Sequence, residues 1–354
     1  MRVLTVIGNR PQFVKAAAVS RILRAQHEEW LVHTGQHHDD ELSAVFFEEL
    51  RIPRPEIVLG IHGGSNTSQT ARMLEALEPI VRDVGPDVVL VYGDTNSTLA
   101  GGLAAAQAGV PVAHVEAGMR SFDRRMPEEL NRVLVDHLSD LLLAPSETAV
   151  GHLRAERVAG EVQLVGDVMV DMAYAVQPVV RDTPLPMSFP SEFVLATAHR
   201  AGNVDDPGRL RALVELLRAV PGKVVLPMHP RTRARLEAAG LLDAVERDLL
   251  VLPPLGYLDF TSLLLRARAV LTDSGGVQKE AYLAGVPCVT MRDTTEWVET
   301  VETGWNVLVD LDRDAALGAL ERAVPAERPQ LYGDGKAGER VVAALAAFTA
   351  GRSA

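Results

Sequence analysis

The sequence predicts an α/β protein of two doubly wound domains, and three observations carry that prediction. Short apolar, β-branched runs bounded by Gly, Asp or Pro recur along the chain, the form taken by parallel strands buried on both faces. Between them lie stretches with apolar residues at helical spacing, such as SQTARMLEALEPIVRDV (68–84). The alternation breaks at RDTPLPMSFPSEF (181–193), which has three prolines and no periodicity, and then restarts, so this segment reads as a linker.

In the first half the strands are VLTVIG (3–8), WLVHTG (30–35), DVVLVYGD (87–94), PVAHVEAG (111–118), LLLAPS (141–146) and VQLVGD (162–167). The second half supplies FVLATAH (193–199), KVVLPMH (223–229), LLVLPP (249–254), AVLTDSG (269–275) and PCVTMR (287–292). Domains over 1–180 and 190–339 follow. With 354 residues, 47% of them hydrophobic, the chain can build two cores. Two such domains are expected to face each other across a cleft.

Composition narrows the partners. A net charge of −12 argues against nucleic acid or anionic membrane, while leaving room for a local basic pocket. Cys288 is the sole cysteine, so an intramolecular disulfide and a cysteine-based zinc site are both excluded. The apolar start of MRVLTVIGNRPQF is too short for a secretory signal, and no run of about 18 apolar residues follows. A cytoplasmic protein is expected.

Ligands of open α/β sheets lie beyond the carboxyl ends of the strands, and the unusual residues gather there. TDSGGVQKEA (272–281) sits at a strand-to-helix turn, with Ser274 expected as N-cap and Gly275 and Gly276 allowing close backbone approach. Helix N-termini attract phosphate. Glu280 could hold ribose hydroxyls or merely complement the helix dipole. In GNRPQFVK (8–15), Arg10 and Lys15 flank the first turn; both could face an anion, or be ordinary surface cations. No P-loop pattern exists, and GDGKAG (333–338) lacks the preceding strand that a dinucleotide site needs.

HTGQHHDD (33–40) brings together His33, His37, His38, Asp39 and Asp40. Capping and first-turn charges explain this group better than a metal, and DLDRDAA (310–316) reads the same way. In HVEAGMRSFDRRMPEELNR (114–132), Glu128 and Arg132 have ion-pair spacing. Glu116 and Asp94 instead end strands in glycine-flanked turns, where core packing cannot explain them. Carboxylates crowded beside a phosphate site gain proton affinity and suit proton abstraction.

Taken together, GNRPQFVK, VYGDTNST, HVEAGMR, MPEELNR, LTDSGGVQKEA and MRDTTE resemble the ordered motifs of the non-hydrolysing UDP-N-acetylglucosamine 2-epimerase family, over nearly the whole chain. The resemblance implies the two-domain fold called GT-B, a homodimer, a final helix (340–354) packing back on the first domain, and a place in polysaccharide biosynthesis. It also implies a reaction without metal or redox cofactor. UDP leaves C1 as the C2 proton is removed, 2-acetamidoglucal forms, and re-addition with the proton on the opposite face gives UDP-N-acetylmannosamine. Carried over by motif, Asp94, Glu116 and Glu128 are the acid/base candidates and His199 lies near the diphosphate. Arg10, Lys15, Ser274, Gly275, Gly276 and Glu280 become UDP contacts.

The resemblance further marks Gln36, His37 and His229 as a possible second site for UDP-N-acetylglucosamine as activator. Asp39 and Asp40 would repel a diphosphate there, so weak or absent activation is expected. Two departures are visible. The family's H-R-x-E-N reads HRAGN here, with Gly202 in the Glu position, and T-E-R-P reads TEWV, with Trp297 and Val298. A hydrolysing epimerase, a GT-B glycosyltransferase and a non-catalytic nucleotide-sugar sensor remain the alternatives.

Overall fold

A computed structural model describes residues 1–36, 52–182, 185 and 189–352. The chain divides into two compact units, Met1–Tyr174 with Gln330–Ala354, and Ala175–Pro329.

The first unit contains one parallel sheet of β1 (Arg2–Ile7), β2 (Glu28–His33), β3 (Ile57–Val58), β4 (Val88–Tyr92), β5 (Val112–Val115), β6 (Leu141–Ala144) and β7 (Glu161–Leu164), in the spatial order β3-β2-β1-β4-β5-β6-β7. Helices α1 (Arg10–Gln26), α2 (Asn66–Val84), α3 (Asn96–Gln107), α4 (Pro127–Leu138), α5 (Glu147–Glu156) and α6 (Val168–Arg181) follow the strands. Leu4, Val6, Val89 and Val91 pack against Met73 and Leu77 of α2. These strands are apolar on both faces because helices cover both.

The second unit repeats the plan with β8 (Val194–Thr197), β9 (Val224–Pro227), β10 (Leu250–Leu252), β11 (Ala269–Thr272), β12 (Cys288–Thr290) and β13 (Asn306–Leu308), in the order β10-β9-β8-β11-β12-β13. All its pairings are parallel too. Its helices are α7 (Ala201–Val204), α8 (Pro207–Ala219), α9 (Pro230–Ala238), α10 (Leu242–Asp248), α11 (Tyr257–Leu264), α12 (Gly275–Ala284), α13 (Val298–Glu302) and α14 (Arg313–Glu321). Cys288 is fully buried on β12, and burial pushes its thiol up to about 12.

Every strand expected from the sequence forms. Two were not anticipated, β3 and β13, which are edge strands of two and three residues; β3 lies inside the proline-broken IPRPEIVLG (52–60). The first unit ends inside α6 rather than at its end, and the chain returns to it from Gln330. Residues 183, 184 and 186–188 of the expected linker lie outside the described residues. The final helix, α15 (Ala337–Arg352), starts where Asp171 accepts from the amides of Ala337 and Gly338 at 3.0 and 2.8 Å. A Cβ on Gly338 would lie 2.5 Å from the Ala18 carbonyl oxygen of α1. That glycine of GDGKAG therefore serves helix packing.

Each sheet reverses its winding once, between β1 and β4 in the first unit and between β8 and β11 in the second. Crevices at such switch points are where ligands of doubly wound sheets bind.

Candidate active site

At the first switch point, Asn9 caps α1 by accepting from Gln12 N at 3.1 Å, and Arg10 is the first helical residue. The Gln12 side chain ties the two sides of the crevice together. Its Oε1 accepts from Gly8 N at 2.7 Å, while Nε2 donates to the Tyr92 carbonyl at 2.8 Å and to Thr98 Oγ1 at 2.9 Å. One turn into α1, Lys15 Nζ reaches Glu116 Oε1 at 2.5 Å, with side chains only 10% and 9% exposed. Gly93, at φ 64°, makes room for this pair, because a Cβ there would lie 3.0 Å from Lys15 Nζ. Glu116 itself has φ 73°, a left-handed conformation that costs roughly 1–3 kcal/mol and marks functional turns.

Asp94 pairs with Arg132, which also donates to Glu129 Oε2 at 2.9 Å. The expected Glu128–Arg132 pair is therefore replaced by an i,i+3 pair with Glu129 and a long-range pair with Asp94. Glu129 is buried and accepts from Ser121 N, Ser121 Oγ and Phe122 N, each at 2.9 Å, which shapes the loop entering α4. Glu128, half-buried, makes no ion pair among the described residues. Mutual repulsion among the carboxylates, expected from the sequence, is not what the structure shows. Glu116 and Asp94 each face their own cation.

At the second switch point the buried Asp273 carboxylate accepts from the backbone N–H of His199 at 3.1 Å and of Arg200 at 3.0 Å. Asn203 Nδ2 joins it at 3.3 Å and also donates to the Met291 carbonyl at 3.0 Å. The His199 ring stacks on His229 with centroids 5.5 Å apart. Ser274 occupies the N-cap position of α12, yet its side chain makes no capping bond, so capping does not explain the serine. The two glycines differ in purpose. A Cβ on Gly275 would meet Glu296 Oε1 at 2.0 Å, whereas Gly276 opens to free space. Glu296 is held by Arg292 NH2 at 3.0 Å, with Arg200 NH2 at 4.0 Å. Glu280 lies half-buried on the second turn of α12.

Residues 21–346 match the family model described as UDP-N-acetylglucosamine 2-epimerase. The chain belongs to the UDP-N-acetylglucosamine 2-epimerase family. It is 48% identical to the UDP-2,3-diacetamido-2,3-dideoxy-D-glucuronate 2-epimerase of Pseudomonas aeruginosa, over 98% of this chain and 99% of that one. It also superposes on the Methanocaldococcus jannaschii UDP-GlcNAc 2-epimerase, solved with UDP-GlcNAc and UDP, with a TM-score of 0.92 and 38% identity, covering 98% of this chain and 100% of that one. A likeness of fold alone extends to the calicheamicin glycosyltransferase, at TM-score 0.52 and 17% identity, over 98% of this chain and 94% of that one. The GT-B-like architecture expected from the sequence is thereby borne out.

Within this epimerase family the two departures have local explanations. Gly202 is exposed with open space around it, so losing the Glu leaves the anchoring Asn203 untouched. Trp297 stands under the buried Lys279, whose Nζ is 4.1 Å from the ring centroid; an arginine there would face a like charge. Of the second-site candidates, Gln36 Oε1 accepts from Ser97 N at 3.0 Å and Ser97 Oγ at 2.7 Å at the start of α3. His229 accepts from Arg231 N at 3.1 Å as the N-cap of α9. His37, with His38, Asp39 and Asp40, lies outside the described residues. His33 is buried edge-on to Phe13. Sequence reasoning missed Gln12, Asp136 and Asp273, whose side chains point at backbone, a use that no motif spacing reveals.

Proposed function

We propose that this epimerase inverts C2 of a UDP-2-acetamido sugar by eliminating and re-adding UDP. The observation that carries the reading is the pair of carboxylates just past the carboxyl ends of the adjacent strands β4 and β5, Asp94 and Glu116, each facing a cation, with Glu128 on the first turn of α4 and in no ion pair among the described residues. A carboxylate oriented by its cation can take the C2 proton, and a second carboxyl group, in its protonated form, can return one to the opposite face. Electron density from the broken C2–H bond forms the C1–C2 double bond as the C1–O bond to UDP breaks. Re-addition reverses each step, so atoms and charge balance without a redox partner. His199, Arg10, Ser274, Gly275 and Gly276 are the proposed diphosphate contacts, and Glu280 the ribose contact. Helix N-termini suit that anion. Lys15, given to UDP by its motif, has its ammonium on Glu116 and is better assigned to holding that carboxylate.

UDP-N-acetylglucosamine is the first substrate to test. The 48% identity to an enzyme named for a diacetamido-glucuronate, against 38% to the archaeal UDP-GlcNAc enzyme, favours a second reading in which the sugar carries a second acetamido group and a carboxylate. Proton NMR of the enzyme with each nucleotide sugar decides between them. An equilibrium mixture of C2 epimers identifies the substrate; free sugar plus UDP would mean hydrolysis, and no change with either would refute the proposal. A homodimer in the cytoplasm completes the reading, supported by Leu130 and Leu134, exposed one turn apart on α4; light scattering at monomer mass would remove the dimer.

A further inference from the structure

His114 is fully buried on β5, and both its ring nitrogens meet acceptors. Nε2 lies 2.7 Å from the Gly93 carbonyl oxygen, and Nδ1 lies 2.7 Å from Asp136 Oδ1. A carbonyl oxygen only accepts, so Nε2 carries a proton. Burial works to raise the Asp136 carboxyl, but His114 and Arg120 beside it hold it below the usual range. Asp136 Oδ1 thus faces Nδ1 as the Gly93 carbonyl faces Nε2, and the ring bridges the two with one hydrogen bond at each nitrogen. The other carboxylate oxygen of Asp136 accepts from Gly118 N at 3.0 Å and Arg120 NH1 at 2.7 Å, and Arg120 runs on to Glu156 at 2.7 Å. His114, Asp136, Arg120 and Glu156 thus form one hydrogen-bonded chain.

The two backbone groups gripped by this chain are the informative ones. Gly93 immediately precedes Asp94, and Gly118 stands two residues after Glu116. We propose that His114 and Asp136 are positioning residues whose hydrogen-bonded pair locks the Asp94 turn to the Glu116 turn, fixing the spacing of the two carboxylates. The proposal rests on the proton-transfer role given above to Asp94 and Glu116. It differs from a purely stabilising network in a definite way: the inner pair governs turnover, while the outer Arg120–Glu156 contact governs stability alone. Misplacing a reacting group by about 1 Å can cost about 10²-fold in rate.

The test compares three variants of the whole enzyme. His114→Gln keeps one donor, Asp136→Asn keeps the shape without the charge, and Glu156→Gln loosens only the outer contact, leaving Gly93 and Gly118 held. The first two should lose about 10²-fold in kcat with KM and UDP affinity little changed. Glu156→Gln should lower the melting temperature and keep kcat. A folded His114→Gln enzyme with wild-type kcat, or losses confined to KM, would overturn the proposal. Histidine 15N spectra of the unmodified protein give a readout independent of turnover and of the folding of any variant. A protonated, hydrogen-bonded Nε2 on His114 is expected, and a bare Nε2 would overturn the proposal even in an active enzyme. If the wild-type protein turned over no sugar while the spectrum showed the Nε2 proton, the reading of the reaction would fail and the hydrogen-bonded clamp would stand.

Discussion

Replacing Lys15 by Met removes the cation from a pair whose two side chains are 10% and 9% exposed. Glu116 would then hold a charge with little water to solvate it. Breaking a buried pair by deleting one partner costs about 3–5 kcal/mol, and the residual exposure places this case near about 3 kcal/mol. For a unit of this size that is a fall of roughly 6–12 °C in melting temperature. The double variant Lys15→Met/Glu116→Gln carries no stranded charge, so it should recover most of the loss. A coupling of about 2 kcal/mol between the positions is expected, within the range of contacting residues. Scanning calorimetry of the four proteins, followed through the transition of the first unit, measures it. A coupling below about 0.5 kcal/mol would show that the pair is solvated and does not hold Glu116.

Three further outcomes follow from the same geometry. Glu116→Gln should cut turnover by about 10²–10⁴-fold while calorimetric UDP affinity stays at the wild-type value; a matching loss of affinity would make Glu116 a binding group. Glu280→Ala should weaken UDP binding chiefly, and intact affinity would remove the ribose assignment. Burial notwithstanding, His114 and Arg120 hold the folded Asp136 carboxyl below its unfolded value of about 3.9. Its stabilisation is therefore complete above that value and is lost as pH falls through the lower, folded one. Melting temperatures of Asp136→Asn should fall less steeply with acid below about pH 4 than those of the wild type, and equal slopes would contradict the ionised, paired state.

Much of this was legible in the sequence, for reasons that differ from element to element. The strand runs were readable because parallel strands covered on both faces must be apolar throughout, as Val88–Tyr92 is. Asp94 and Glu116 were readable because a charge after such a run has no packing purpose. What escaped notice were contacts set by three-dimensional proximity. Lys15 and Glu116 are 101 residues apart, so a lysine that looks free beside a phosphate site is in fact committed to a carboxylate. Glu128 and Glu129 look equivalent in PEEL, and only the path of the preceding loop sends Glu129 inward to Ser121 and Phe122. The short β3 and β13 fell below the length at which periodicity carries information.

The central claim is that a protein carboxylate removes the C2 proton and a carboxylate returns one, with solvent exchange between the two events. Turnover in D2O, followed by proton NMR at C2, tests it most directly. The account predicts deuterium at C2 of the epimerised sugar and, because the reaction runs both ways, in the recovered substrate as well. Epimerised sugar that kept its C2 hydrogen entirely would contradict it.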